Sequence, residues 1–73
     1  MADTTNEDRA KWAMSAVQTF ADVTGTSTAD NGEIQTTVTD LLADLMHLGD
    51  KCGFQLHELI PAAERHYAAE RFA

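Results

Sequence analysis

The chain has 73 residues, with twelve acidic and five basic side chains and a formal net charge of −7 at pH 7. This length allows one domain, and we predict a single helical domain over residues 1–73. The negative charge repels phosphate backbones and anionic lipid, so we expect neither direct nucleic-acid binding nor association with a membrane. The alternative is that the charge only keeps a small domain soluble.

The small size of the chain predicts self-association. A single core of this length supplies roughly 3 to 5 kcal/mol of net stability unless a further link strengthens it. Cys52 is the only cysteine, so no disulfide can form within one chain, and we expect a homo-oligomer. A lone thiol fits a reducing compartment, and the first residues lack the features of a signal peptide. We therefore expect the protein in the cytoplasm of a host cell.

Helix one is predicted between Thr5 and Val23. Residues 1–5 are predicted to be disordered, and Thr5 or Asn6 precedes acidic residues as a candidate N-cap. Residues 24–32 are mostly small and polar without periodicity, which predicts a loop. The predicted inner face of helix one consists of Trp12, Ala16, Phe20 and Val23.

Helix two is predicted to begin near Gly32 or Glu33. It is predicted to end at Gly53, because glycine readily takes the left-handed conformation of a helix C-cap. Its apolar residues recur in steps of three and four, which is typical of a buried stripe. This stripe consists of Ile34, Val38, Leu41, Leu45, Leu48 and Cys52.

Helix three is predicted to follow Gln55, with a start disturbed by Pro61, because proline lacks a backbone donor. The short turn at Gly53 predicts that helices two and three form an antiparallel hairpin. No strand pattern is present, so we predict an all-α three-helix bundle, with oligomerisation. The predicted buried face of helix three consists of Leu56, Leu59, Ile60, Ala63 and Tyr67.

Helix two carries a second apolar row, Leu42 and Met46, beside Gly49 and Gly53. Together with the main stripe this row makes an apolar arc wider than one helix contact needs, and the glycines would let a neighbouring helix approach closely. We predict a surface for self-association or partner binding here. The alternative is that helices one and three cover both rows.

Asp40, Asp44 and His47 project from the side of helix two opposite the main stripe. Their spacing permits a shared divalent cation, but a metal site needs ligands from a second helix. They are therefore only weak metal candidates, and we predict no metal, no cofactor and a solvated face. No serine, cysteine or lysine has an activating partner at useful spacing, so no catalytic residue is predicted.

The remaining charged residues favour a protein partner with a basic surface. His66 precedes Glu70 by four residues, so these two residues either contact a partner or bond to each other within the helix. The predicted partner-binding residues are Asp40, Leu42, Asp44, Met46, His47, Asp50, Glu64, His66 and Glu70.

The run Asp40-Leu-Leu-Ala-Asp-Leu-Met-His-Leu-Gly-Asp-Lys-Cys-Gly-Phe-Gln-Leu-His-Glu-Leu59, continuing to Tyr67, resembles small helical proteins encoded by bacteriophages, prophages and plasmids. It is also similar to the second half of MazG-type nucleoside-triphosphate pyrophosphohydrolases. Those all-α enzymes hold magnesium with Glu-x-x-Glu on one helix and Glu-x-x-Asp on the next. Asp44 can be matched to the final aspartate, whereas Leu41 replaces the preceding glutamate and helix one has no acidic pair.

These observations favour a non-catalytic interaction protein of a phage or mobile element. The resemblance implies a host target, and we expect the chain to bind and inhibit a host protein, for example in a nuclease-based defence system such as a CRISPR complex. The alternative is a MazG-like nucleotide-binding or nucleotide-hydrolysing oligomer, whose magnesium site would be completed between subunits. A third possibility is a structural subunit whose helices only mediate assembly.

Overall fold

A computed structural model of the chain describes residues 3–72, which form three helices and no strand. Helix α1 spans Asn6–Thr24, α2 spans Asn31–Cys52 and α3 spans Leu56–Glu70. The predicted all-α class is confirmed. The loop between α1 and α2 covers residues 25–30, and residues 1 and 2 of the predicted disordered segment lie outside the described residues. No helix within 3–72 is both long enough and apolar enough to cross a bilayer.

Thr5 caps the beginning of α1. The Asp8 amide donates to the Thr5 hydroxyl at 3.1 Å, and the Thr5 amide donates to the Asp8 carboxylate at 3.1 Å. This reciprocal capping box satisfies two backbone donors that have no partner inside the helix. Of the two predicted caps, Thr5 is therefore the N-cap, and α1 ends before Gly25, which has φ +73°.

The ends of α2 follow local chemistry. The Asp30 carboxylate accepts a hydrogen bond from the Glu33 amide at 2.9 Å, so α2 begins slightly earlier than predicted. Gly53 takes the predicted left-handed conformation, with φ +84°, and its amide bonds to the Gly49 carbonyl at 2.8 Å. These bonds satisfy backbone groups that would otherwise lack partners at the helix ends.

Helix α3 is continuous through Pro61. Gln55 occupies the predicted N-cap position but makes no side-chain capping bond. The Glu58 amide instead donates to the Gln55 carbonyl at 3.0 Å, an i to i+3 bond of the kind that tightens a first turn. This tightened turn agrees with a disturbed start to a single helix.

The core lies where α1 packs on α2, close to the 25–30 loop. Val17 and Ala21 are the buried residues of α1. Thr37 of α2 is only 1% exposed, and its hydroxyl donates to the Ser27 carbonyl at 3.0 Å. This bond fixes the loop to α2 while satisfying a buried polar group.

The predicted inner face of α1 is wrong. Trp12 is 62% exposed and Val23 is 80% exposed, whereas the buried pair Val17 and Ala21 lies roughly 120° further around the helix. The small Ala21 side chain permits a close approach of α1 to α2, which a contact centred on the Trp12 indole does not. The indole face of α1 is therefore turned away from the core.

The predicted buried face of α3 is also not buried, and no described residue of α3 is buried. Leu59 is 49% exposed and Tyr67 is 62% exposed. Instead, the end of α3 reaches the beginning of α1, where the Asn6 side-chain amide donates to the Glu70 carbonyl at 2.9 Å and the Arg71 carbonyl at 3.3 Å.

This contact gives the three helices an unusual order in space. In an up-down-up bundle of three helices, the end of the third helix lies beside the end of the first. Here it lies beside the beginning of the first, so the helices join end to end in a closed circuit. The predicted antiparallel hairpin of α2 and α3 is not confirmed.

The closed circuit is less compact than a typical domain of its length. Its Cα radius of gyration is 14.0 Å, whereas a compact domain of this length has one of about 11 Å. Its accessible surface is 5876 Å², whereas a compact monomer of this mass exposes about 4,500 Å². The isolated chain thus leaves apolar surface exposed that a compact domain would bury.

Replacing Thr37 with valine tests the buried bond between α2 and the loop. We expect Thr37→Val to lower the free energy of unfolding by about 1–2 kcal/mol, because the partly buried bond from α2 to the Ser27 carbonyl is lost. Urea unfolding at one fixed protein concentration measures the change. Thr39→Val is the matched control, since the exposed Thr39 hydroxyl bonds only to the Gln35 carbonyl of its own helix. Equal losses in the two variants would contradict the role of Thr37.

Gly49 tests the turn between α2 and α3. A Cβ atom at Gly49 would collide with the Phe54 carbonyl oxygen, so the glycine makes room for the chain's own turn. We expect Gly49→Ala to lower the free energy of unfolding by about 1–3 kcal/mol through overpacking. In the control Gly32→Ala the new atom meets only ordinary contacts, and we expect no loss of stability in the same urea titration. A neutral Gly49→Ala variant would refute the close approach.

Candidate functional site

The predicted acidic stripe of α2, which we define as Asp40, Asp44 and His47, is exposed on one side of the helix. The ion pairs found within residues 3–72 join Arg9 to Glu70 and Lys11 to Glu7. No carboxylate of the acidic stripe has an ion-pair partner in that part of the chain. The stripe thus presents adjacent negative charges, about 6 Å apart, to solvent.

The second apolar row of α2 is exposed as well. Leu42 is 40% exposed and Met46 is 55% exposed, so neither α1 nor α3 covers them within one chain. The row lies roughly 150° around α2 from the acidic stripe. Asp50 lies between the two, so one helix presents an apolar side and an acidic side that share a border.

A shallow groove lies at the turn from α2 to α3, beside Met46 of the apolar row and Asp50. The groove has a volume of about 260 Å³. In this groove His57 lies beside Met46 and Asp50, two of the predicted partner-binding residues. The sequence analysis did not place His57 with them. The glycine cap at Gly53 could have predicted this contact, because a tight turn brings the following residues back to the last turn of the preceding helix. Its lining residues are Met46, Asp50, Phe54, Gln55, Leu56 and His57.

The predicted residues of α3 do not form one surface. Glu64 lies roughly 160° around the helix from His66, so the two side chains leave opposite sides of α3. Glu70 is not a free acid, because its carboxylate pairs with the Arg9 guanidinium at 3.1 Å. Arg9 also donates to the Asn6 side chain at 3.1 Å. Asn6, Arg9 and Glu70 form a polar clasp that holds the circuit closed.

A second groove, of about 440 Å³, lies beside this polar clasp between α1 and the end of α3. Tyr67 contributes to its wall, and the Arg71 guanidinium carbon lies 5.9 Å from the centre of the Tyr67 ring. The same guanidinium lies 5.4 Å from the Phe72 ring, which is 86% exposed. Sequence reasoning missed this corner, because the residues that form it come from opposite ends of the chain.

Within residues 3–72 no group of three or more His, Cys, Asp or Glu side chains is arranged to hold a metal ion. The weak candidates Asp40, Asp44 and His47 come from one helix, and a metal site generally needs ligands from a second. Cys52, which was predicted on the buried stripe, is exposed at the end of α2. It lies there because the inner face of α2 is covered only in part.

Comparisons with protein families, with curated proteins and with solved structures gave no match for this chain. The resemblances to phage-encoded helical proteins and to MazG-type enzymes therefore stay predictions. Any functional assignment depends on the surface itself, whose main features are the acidic stripe, the adjacent apolar row and the polar clasp.

A double-mutant cycle on Arg9 and Glu70 tests the polar clasp. We expect a coupling free energy of about 0.5–1 kcal/mol, since both side chains are partly shielded from water. Urea unfolding of Arg9→Ala, Glu70→Ala and the double variant gives the coupling, which should shrink when salt is added. The control is Glu7 and Lys11, which lie 3.8 Å apart and are largely exposed, with an expected coupling near zero. Equal coupling in both pairs would rule out a special role for the clasp.

Proposed function

We propose that this chain is a non-catalytic interaction protein that binds a basic surface of another protein through the acidic stripe of α2. One observation carries the proposal. The carboxylates of Asp40 and Asp44 are exposed and have no ion-pair partner within residues 3–72, while Glu7 and Glu70 on the other helices are paired. Asp22 of α1 and Glu64 of α3 are also exposed without an ion pair, but Asp40 and Asp44 lie four residues apart, so their free carboxylates are neighbours on one side of α2.

Electrostatics explains how such a stripe finds a partner. The net charge of −7 creates a field that steers a basic surface toward the chain and raises the association rate. Neighbouring carboxylates on adjacent helical turns match lysine and arginine side chains, and arginine can bond a carboxylate with two parallel hydrogen bonds. The same charge disfavours direct contact with nucleic acid.

The apolar row supplies the second element of binding. Charge pairs at a wet rim contribute mainly to rate and specificity, whereas buried apolar anchors contribute most of the affinity. Leu42 and Met46 are exposed beside Asp50, so an anchor and a charged border lie on the same helix. A partner with basic residues around an apolar depression fits this arrangement.

Proteins that hold nucleic acid have basic channels of this kind. We therefore propose that the partner is a nucleic-acid-holding protein of a host cell and that binding inhibits it. A nuclease-based defence complex, such as a CRISPR effector, belongs to this class. In this proposal the chain occupies the basic surface as a competitor of nucleic acid and performs no chemistry.

We also propose that the chain acts as a homo-oligomer. Its accessible surface exceeds that of a compact monomer of the same mass by about 1,400 Å². The core of one chain consists of little more than Val17, Ala21 and Thr37. A second copy would bury the excess surface and supply the stability that a single chain of this size lacks.

Affinity purification tests the partner proposal. The tagged protein is incubated with a bacterial lysate, and everything retained, protein and small molecule alike, is identified by mass spectrometry. We expect one basic protein at stoichiometric amount, with retention that falls as salt rises. The double variant Asp40→Lys/Asp44→Lys should lose this protein.

The matched control is Asp3→Lys/Asp22→Lys, which changes the net charge equally but leaves the acidic stripe intact; both residues are exposed. We expect this control to retain the protein, with only a modest loss from the reduced overall field. Equal retention by both double variants would show that the stripe is not the binding site. A retained nucleotide or metal with no protein would instead favour the MazG-like alternative.

A further inference from the structure

Helix α3 carries an apolar face that the rest of the chain covers only in part; Leu56 is half-buried, and the Arg71 guanidinium lies over the Tyr67 ring. We call this face the α3 row; its five side chains are uncharged, and Glu70, which follows on the same face, is paired with Arg9. None of its residues is buried; Leu59, Ile60 and Tyr67 are 49%, 40% and 62% exposed. The α3 row consists of Leu56, Leu59, Ile60, Ala63 and Tyr67.

A helix that is covered so sparsely is stabilised by packing from elsewhere. Helices of about 15 residues are marginal in water even when their sequence favours helix formation. Pro61 removes one backbone hydrogen bond from α3, which weakens it further. Within the chain α3 is held mainly at its two ends, by the turn at Gly49 and Phe54 and by the polar clasp.

The accessible surface of the whole chain, of which the α3 row is one part, gives the largest contact that a partner could cover. Two chains, each exposing about 1,400 Å² more than a compact monomer, would together bury about 2,800 Å², within the 2,000–5,000 Å² typical of obligate homodimers. A contact of this size is much larger than a small peptide or metabolite provides. The excess thus matches another protein surface, and a second copy has the same excess to cover.

We infer that a second copy of this chain covers the α3 row, with α3 of one protomer packed antiparallel to α3 of its partner about a two-fold axis at Ala63. In this register Leu59 lies against the partner's Tyr67, and Tyr67 lies against the partner's Leu59. Such an interface is isologous, because the same patch serves both copies. The small Ala63 side chain at the axis lets the two helices approach closely.

Charge favours α3 over α2 for this contact. Each chain carries −7, so a symmetric contact through the acidic stripe would set Asp40 and Asp44 against identical carboxylates. The α3 row brings apolar groups to the axis, and Glu70, which this register sets against the partner's Leu56, is already paired with Arg9 of its own chain. Pairing through α3 also leaves the acidic stripes of both copies free for a basic partner.

This inference rests on the self-association proposed above, and it can fail separately from the partner binding, because the two surfaces lie on different helices. The first test is the mass in solution, measured by analytical ultracentrifugation over a range of protein concentrations. We expect a mass of about twice the 8.0 kDa of one chain. A mass of one chain at every concentration would overturn the inference.

The matched variants are Leu59→Gln and Leu42→Gln, since both leucines are similarly exposed in the single chain. We expect Leu59→Gln to raise the dimer dissociation constant roughly 100-fold, because each of two copies loses an apolar contact. Leu42→Gln should leave the dissociation constant unchanged. The opposite result, with dissociation in Leu42→Gln alone, would refute the α3 interface and assign the contact to the apolar row of α2.

A cross-link makes the test independent of any loss of folding in Leu59→Gln. In a Cys52→Ser background, Ala63→Cys should form a disulfide between copies under mild oxidation, because residues at the axis of two closely packed helices lie within bonding reach. Ala69→Cys is the control, since Ala69 is exposed on the other side of α3. Failure of Ala63→Cys to cross-link faster than Ala69→Cys would overturn the antiparallel register.

Discussion

The arrangement of the chain depends on the contact that joins α1, α2 and the loop between them. The Thr37 hydroxyl is buried there and donates to the Ser27 carbonyl, beside the small buried residues Val17 and Ala21. A buried polar group tolerates few geometries, because it must keep its partner. This bond holds the loop against α2, and the turn at Gly53 and the polar clasp then direct α3 to the beginning of α1.

Local signals in the sequence predicted the helix ends well. The capping box at Thr5 and the left-handed Gly53 involve atoms within a few residues of each other, so neighbouring residue types are enough to predict them. The faces through which the helices pack were harder to predict. The periodicity of α1 predicted the large Trp12 face, whereas the helix is packed through its small residues, because closeness of approach decided the contact.

Contacts between residues far apart in the chain could not be predicted from the sequence. Arg9 and Glu70 pair across nearly the whole chain, and no spacing rule connects them. The exposure of α3 follows from the closed circuit, whereas a three-helix pattern predicts that such a face is buried. By contrast, the acidic side of α2 was predictable, because residues four apart on a helix lie on one side irrespective of tertiary packing.

The closed circuit has an electrostatic consequence. Every helix carries about half a positive charge at its beginning and half a negative charge at its end. The end of α1 leads through the loop to the beginning of α2, the end of α2 meets the beginning of α3, and the end of α3 lies against the beginning of α1. The three macrodipoles thus follow one another around a ring and largely cancel. The field that an approaching molecule encounters therefore comes mainly from the twelve acidic and five basic side chains, so substitutions of side chains can reshape it without altering the backbone.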